Sequence, residues 1–69
     1  MKLPNSKLIK RYIVQWVDKN LPFTEVRYTQ TSTIATLNDL KKNHIDPSTI
    51  QVFVELDSGI KIHVYGNDQ

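Results

Sequence analysis

The chain reads as a small single-domain α+β protein in the order α-β-α-β-β: a three-stranded mixed sheet with an N-terminal helix packed on one face. Three observations predict it. Apolar residues at helical spacing fill the N-terminal quarter, the period changes to two after Pro22, and two alternating runs flank a glycine turn near the C-terminus. With 69 residues there is room for one domain, taken as 1–69, whose folded form buries only ~60% of its unfolded surface. Apolar residues at 39% and only five Gly and Pro positions argue for a folded chain with a thin core.

The N-terminal helix is expected over roughly Ser6 to Lys19. Leu8, Ile9, Tyr12, Ile13, Trp16 and Val17 recur as adjacent pairs four residues apart, with Lys7, Lys10, Arg11, Val14, Gln15 and Asp18 on the opposite side. Asn5 or Ser6 can supply the N-cap, Asn20 can adopt the left-handed conformation, and Pro22 forbids continuation. From Phe23 to Thr31 Thr24, Val26 and Tyr28 share one face and Glu25, Arg27 and Thr29 the other, which predicts a half-buried strand. Thr31, Ser32 and Thr33 read as a loop. A short second helix then begins at the capping-box pattern Thr36-Leu37-Asn38-Asp39, turns Leu37 and Leu40 inward, and stops at Asn43. Asp46-Pro47-Ser48 is a turn, because the residue before proline is pushed out of the helical region.

The last third is a hairpin with a defined register. Asp57-Ser58-Gly59 fits a type I turn with Gly59 left-handed. The aliphatic faces then match as Leu56 with Ile60, Val54 with Ile62 and Val52 with Val64. The other face matches Glu55 with Lys61, Phe53 with His63 and Gln51 with Tyr65. The first strand, second helix and first hairpin strand form a crossover. The last strand lies either between the two others or outside the hairpin. The tail Gly66-Asn67-Asp68-Gln69 is expected to fray.

Composition excludes several functions. Without cysteine there is no disulfide, thiolate zinc site or cysteine nucleophile, and two glycines cannot build a phosphate-cradling loop. His44-Ile45-Asp46 lacks a third ligand or a nucleophile, and turn chemistry accounts for Asp46. No cofactor, metal or enzymatic activity is expected. Apolar runs are far shorter than a membrane span of ~18 residues, and Met1-Lys2-Leu3-Pro4-Asn5 leads into charge rather than into a signal-peptide core. A cytoplasmic protein is the expectation.

Two surfaces could bind. The outward face of the hairpin presents Phe53, Lys61, His63 and Tyr65 beside Gln51 and Glu55, a set suited to a protein partner or a second copy. The alternative partner is nucleic acid. Five cations against one acid up to Lys19, but four against six beyond it, place Lys2, Lys7, Lys10 and Arg11 on or near one basic side of the expected first helix. The edge of the first strand, with Thr24, Thr29, Gln30 and Thr31 and few charges, could also pair with another chain if that strand lies outside in the sheet.

Overall fold

The computed structural model describes residues 3–66. The α+β class holds, but the first element is a strand. β1 (Ile9–Asp18) and β2 (Leu21–Arg27) form a hairpin, followed by α1 (Gln30–Lys42), a 3-10 turn (Pro47–Thr49), and a second hairpin of β3 (Gln51–Leu56) and β4 (Lys61–Tyr65). The sheet has four strands in the order β2-β1-β3-β4, and every neighbouring pair is antiparallel. A three-stranded mixed sheet is therefore corrected to a four-stranded antiparallel one. β2 and β3 still run parallel to each other through the α1 crossover, but β1 lies between them. The last strand takes the outer of its two expected places.

Why β1 is a strand follows from residue type. Tyr12, Ile13, Val14, Trp16 and Val17 are β-branched or aromatic, the side chains that lose χ1 freedom in a helix and pack well on a pleated sheet. Read at period two, Tyr12, Val14 and Trp16 share one face, and Arg11, Ile13, Gln15 and Val17 the other. The helical-looking pairs arise because Ile13 and Val17 on the second face directly follow Tyr12 and Trp16 on the first, which sets apolar neighbours four residues apart. Lys19 and Asn20 both take positive φ, 53° and 65°, the signature of a type I′ hairpin turn. Asn20 is left-handed as expected, but it reverses a strand instead of ending a helix.

α1 begins six residues before the expected capping box. Thr29, extended at φ −131° and ψ 155°, is the N-cap, and its Oγ1 accepts from Ser32 N–H at 3.0 Å. Thr33 and Thr36 lie inside the helix, and their hydroxyls donate to the carbonyls of Thr29 and Ser32 four residues back. The helix ends with Ile45 N–H bonded to Leu40 C=O at 3.0 Å and His44 N–H to Lys41 C=O at 3.1 Å. This is a Schellman closure, and His44, at φ 62°, holds the left-handed position expected for Asn43. The Asp46 turn stands as read: its Oδ1 accepts from Ser48 N–H at 3.0 Å and Ser48 Oγ at 2.9 Å. Both bonds favour the ionised form, so the carboxyl titrates below its ordinary value.

The core lies between α1 and one sheet face. Val14 and Val52 are fully buried at its centre with Leu37, Leu40, Ile50 and Leu3, and Trp16, Ile34, Ile45, Val64 and Tyr65 pack around them. Leu3 reaches the core because the N-terminal segment is tied down at two points. Tyr12 O–H donates to Pro4 C=O at 2.8 Å, and Gln30 Nε2 donates to Leu3 C=O at 2.6 Å. Trp16 does not cover the sheet from a helix; it lies within the sheet and stacks on Phe23 across the first hairpin at 5.7 Å.

The C-terminal hairpin keeps its expected register from Glu55–Lys61 to Phe53–His63, with Gly59 at φ 91° in the turn. A bulge then intervenes, and Val52 pairs with Tyr65 rather than with Val64. Gly66 forms a bend directly after β4, and Asn67, Asp68 and Gln69 lie outside the described residues. At φ 111° a Cβ on Gly66 would strike the Ile50 carbonyl oxygen and come within 3.0 Å of Gln51 Cα. Gly66→Ala is therefore expected to lower stability by about 1–3 kcal/mol. A thermal melt checks this as a fall of roughly 4–8 °C per kcal/mol; an unchanged midpoint would show that the chain leaves the sheet before Gly66 at no cost.

Candidate protein-binding face

Among the described residues, one face of the sheet has no helix on it. In antiparallel pairs, directly opposed residues share a face, so the register assembles this surface from alternate positions of all four strands. β1 supplies Arg11, Ile13 and Gln15, β2 supplies Thr24 and Val26, β3 supplies Gln51, Phe53 and Glu55, and β4 supplies Lys61 and His63.

Phe53 is at the centre. Ile13 is its partner on β1 and His63 its partner on β4, where the two rings lie 5.0 Å apart and tilted by 41°. Val26 continues the apolar strip across Ile13 on β2. Phe53, Ile13, Val26 and His63 are all half-buried, because each is shielded only by its neighbours in the sheet plane. Beside the strip runs a row of charge. Arg11 Nε lies 3.3 Å from Glu55 Oε1, and Glu55 also stands opposite exposed Lys61. A hollow of about 400 Å³ opens over Ile13, Val26 and Phe53 with this row at one side.

Of the residues expected on this surface, Phe53, Lys61 and His63 are there and Tyr65 is not. The bulge turns Tyr65 onto the helix side, where it packs against the core and joins Leu37, Lys41, His44, Ile45 and Ile50 around a second cavity of about 670 Å³. His44 and His63 thus lie on opposite sides of the sheet. Among the described residues, no group of three or more His, Asp or Glu is placed to hold a metal ion.

The expected basic helix face does not exist, because residues 9–18 are a strand. Lys7 is in a turn before β1, and Lys10 is the extra residue where the β1–β3 register shifts. Arg11 belongs to the helix-free face and is ion-paired there, while Lys2 lies outside the described residues. Ile13 and Val26 were the members of the strip that sequence reasoning missed. The alternation Arg11-Ile13-Gln15 carried that signal, once β1 is read at period two.

The fold and this face define a small α+β protein with one helix over a four-stranded antiparallel sheet, whose second face is uncovered among the described residues. Comparison with protein-family models, with curated proteins and with solved structures finds no match to this chain. No helix among the described residues is long and apolar enough to cross a membrane.

Proposed function

We propose that this chain is a non-catalytic binding module that holds a protein partner against the helix-free face of its sheet. The observation that carries this reading is the position of Phe53: an aromatic ring at the middle of an uncovered face, flanked by Ile13 and His63 and bordered by the Arg11–Glu55 pair. A central apolar anchor with a polar rim is the arrangement in which a few residues carry most of the affinity of a protein interface. The mixed charge of the row favours a protein over nucleic acid, since the arginine suited to a phosphate is already engaged by Glu55. Nothing in the sequence pairs a nucleophile with a base, so the module acts by occupying its partner.

The test is a photoreactive aromatic residue placed at position 53, with the same group at the exposed Asn38 on α1 as control. A discrete protein crosslinked from position 53 alone is expected. Phe53→Ser should then weaken that protein's binding at least ~30-fold, as removal of an interface anchor does. The thermal midpoint should move little, because Phe53 is outside the core. A partner that binds Phe53→Ser as tightly as the parent contradicts the proposal. A fluorescent oligonucleotide bound with steep salt dependence would favour the nucleic-acid reading instead.

A further inference from the structure

We infer that the free edge of β2 is a self-association surface, on which a second copy of this chain pairs antiparallel about a two-fold axis at Thr24. The backbone supplies the first argument. The two-residue turn makes Asp18–Leu21 a hydrogen-bonded pair, and Val17 N–H instead points to the β3 side, where Thr49 Oγ1 accepts it at 3.3 Å. By the alternation of an antiparallel ladder, Leu21, Phe23, Glu25 and Arg27 bond to β1, while Pro22, Thr24 and Val26 turn their backbone groups outward. Pro22 therefore gives up no bond within the sheet.

The two edges are not equally available. β4 is short, carries Lys61, and is interrupted by a bulge, all devices that discourage pairing. β2 spans seven residues, and neither Thr24 nor Val26, its outward pair of N–H groups, is charged. Centring the two-fold on Thr24 uses the whole strand. Thr24 of each copy exchanges both hydrogen bonds with its equivalent, and Val26 N–H of each donates to Pro22 C=O of the other. Proline has no N–H for the Val26 C=O that it faces, and that carbonyl instead accepts from Arg27 Nη1 of its own chain at 3.0 Å.

Side chains select the same register. On the helix-free face Thr24 meets Thr24 of the second copy, a favourable cross-strand pair. On the helix side Phe23 stands opposite Glu25 and diagonal to Phe23 of the second copy, within the ~7–8 Å reach of aromatic rings across a ladder. Phe23 is 42% exposed and Leu21 59% exposed, and Phe23 already stacks on Trp16, so pairing extends that stack across the axis. A two-fold on Glu25 would oppose two carboxylates, and one on Val26 would bring no aromatic pair together. Association joins two four-stranded sheets into one and aligns the two Phe53 faces side by side. Pairing at this edge is independent of what binds Phe53.

Light scattering on the intact chain should show the mass rising from 8.0 kDa toward twice that value as concentration approaches ~1 mM, the range suited to a small single-edge contact. Thr24→Lys opposes two ammonium groups at the axis and should hold the mass at 8.0 kDa with an unchanged circular dichroism spectrum. Because the chain has no cysteine, Thr24→Cys provides a register test: hydrogen-bonded positions lie ~5.5 Å apart, within disulfide range. Oxidation should link the copies through Thr24→Cys and not through Lys61→Cys on the other edge. A parent that stays at 8.0 kDa throughout, or a T24K variant that still associates, overturns the inference; so does faster linkage through K61C.

Discussion

Val14→Asp is expected to abolish folding, while Leu8→Asp leaves stability nearly unchanged. Val14 is 0% exposed at the middle of β1, between Val52 on β3 and Glu25 on β2. A carboxylate there would lie in the core beside another carboxylate, with no cation of its own. The cost exceeds ~4 kcal/mol, comparable to the whole stability of a domain this small. Leu8 is 64% exposed, and a surface change of this kind costs within ~0.5 kcal/mol. The pair discriminates between conformations, because in a helix over residues 6–19 Leu8 faces inward and Val14 faces solvent. Chemical denaturation of both variants checks it. A folded V14D protein with an unfolded L8D protein would reverse the account of the first element.

Tyr12→Ala should come next in severity. The ring is 2% exposed, sits between Arg27 and Val54 across the two ladders, and donates to Pro4 C=O, so its loss leaves a cavity and frees the segment that delivers Leu3 to the core. Truncation of a buried aromatic costs ~3–5 kcal/mol, enough to unfold most of the population. Tyr12→Phe keeps the ring and removes one hydrogen bond, for about 1 kcal/mol. The same residue sets a pH dependence. Burial raises the phenol above its ordinary value, so the folded state favours the neutral form. Its contribution is fully present below the unfolded value of about 10 and is lost as pH rises through the folded one. The parent should therefore lose stability more steeply than Tyr12→Phe above pH ~10, as read by denaturant midpoints across that range. Parallel curves would show that the phenol ionises in the fold as readily as in the unfolded chain.

Where the sequence carried one dominant signal, it was legible. The second hairpin could be read up to its last two pairs, Val52–Val64 and Gln51–Tyr65, because aliphatic alternation, the Glu55–Lys61 match and Gly59 in the turn all agree. Asp46-Pro47 was legible for the same reason, since the turn chemistry is local. β1 was not, because its residues satisfy two periods: an interior strand with Tyr12, Val14 and Trp16 on one side and Ile13 and Val17 on the other also yields apolar pairs four apart. Side-chain type separates the two, and a segment rich in β-branched and aromatic residues weighs toward strand. α1 was read too short because Thr31-Ser32-Thr33 has weak helix propensity, and the hydroxyl bonds that accommodate Thr33 and Thr36 form only once the helix exists.

The candidate face divides along the same line. Phe53, Lys61 and His63 follow from the hairpin register and are on the helix-free side. Tyr65 depends on a bulge that no residue in the pattern announces, and it faces the helix. The basic helix face was lost with the helix that would have carried it. What replaced it, the pairing of Arg11 with Glu55 and the strip through Ile13 and Val26, required knowing that β1 lies between β2 and β3, a long-range fact.

The helix-free face exists only because Ile9–Asp18 is an interior strand, and interstrand proton contacts test that most directly. Non-hydrogen-bonded antiparallel pairs bring Cα atoms to ~4.5 Å and their protons closer still. The register predicts strong Hα–Hα Overhauser effects between Ile13 and Val26 on one side of β1 and between Tyr12 and Val54 on the other. Hα–Hβ effects three residues apart, from Ile9 to Tyr12 and from Ile13 to Trp16, with both interstrand contacts missing, would contradict the sheet and the binding face together.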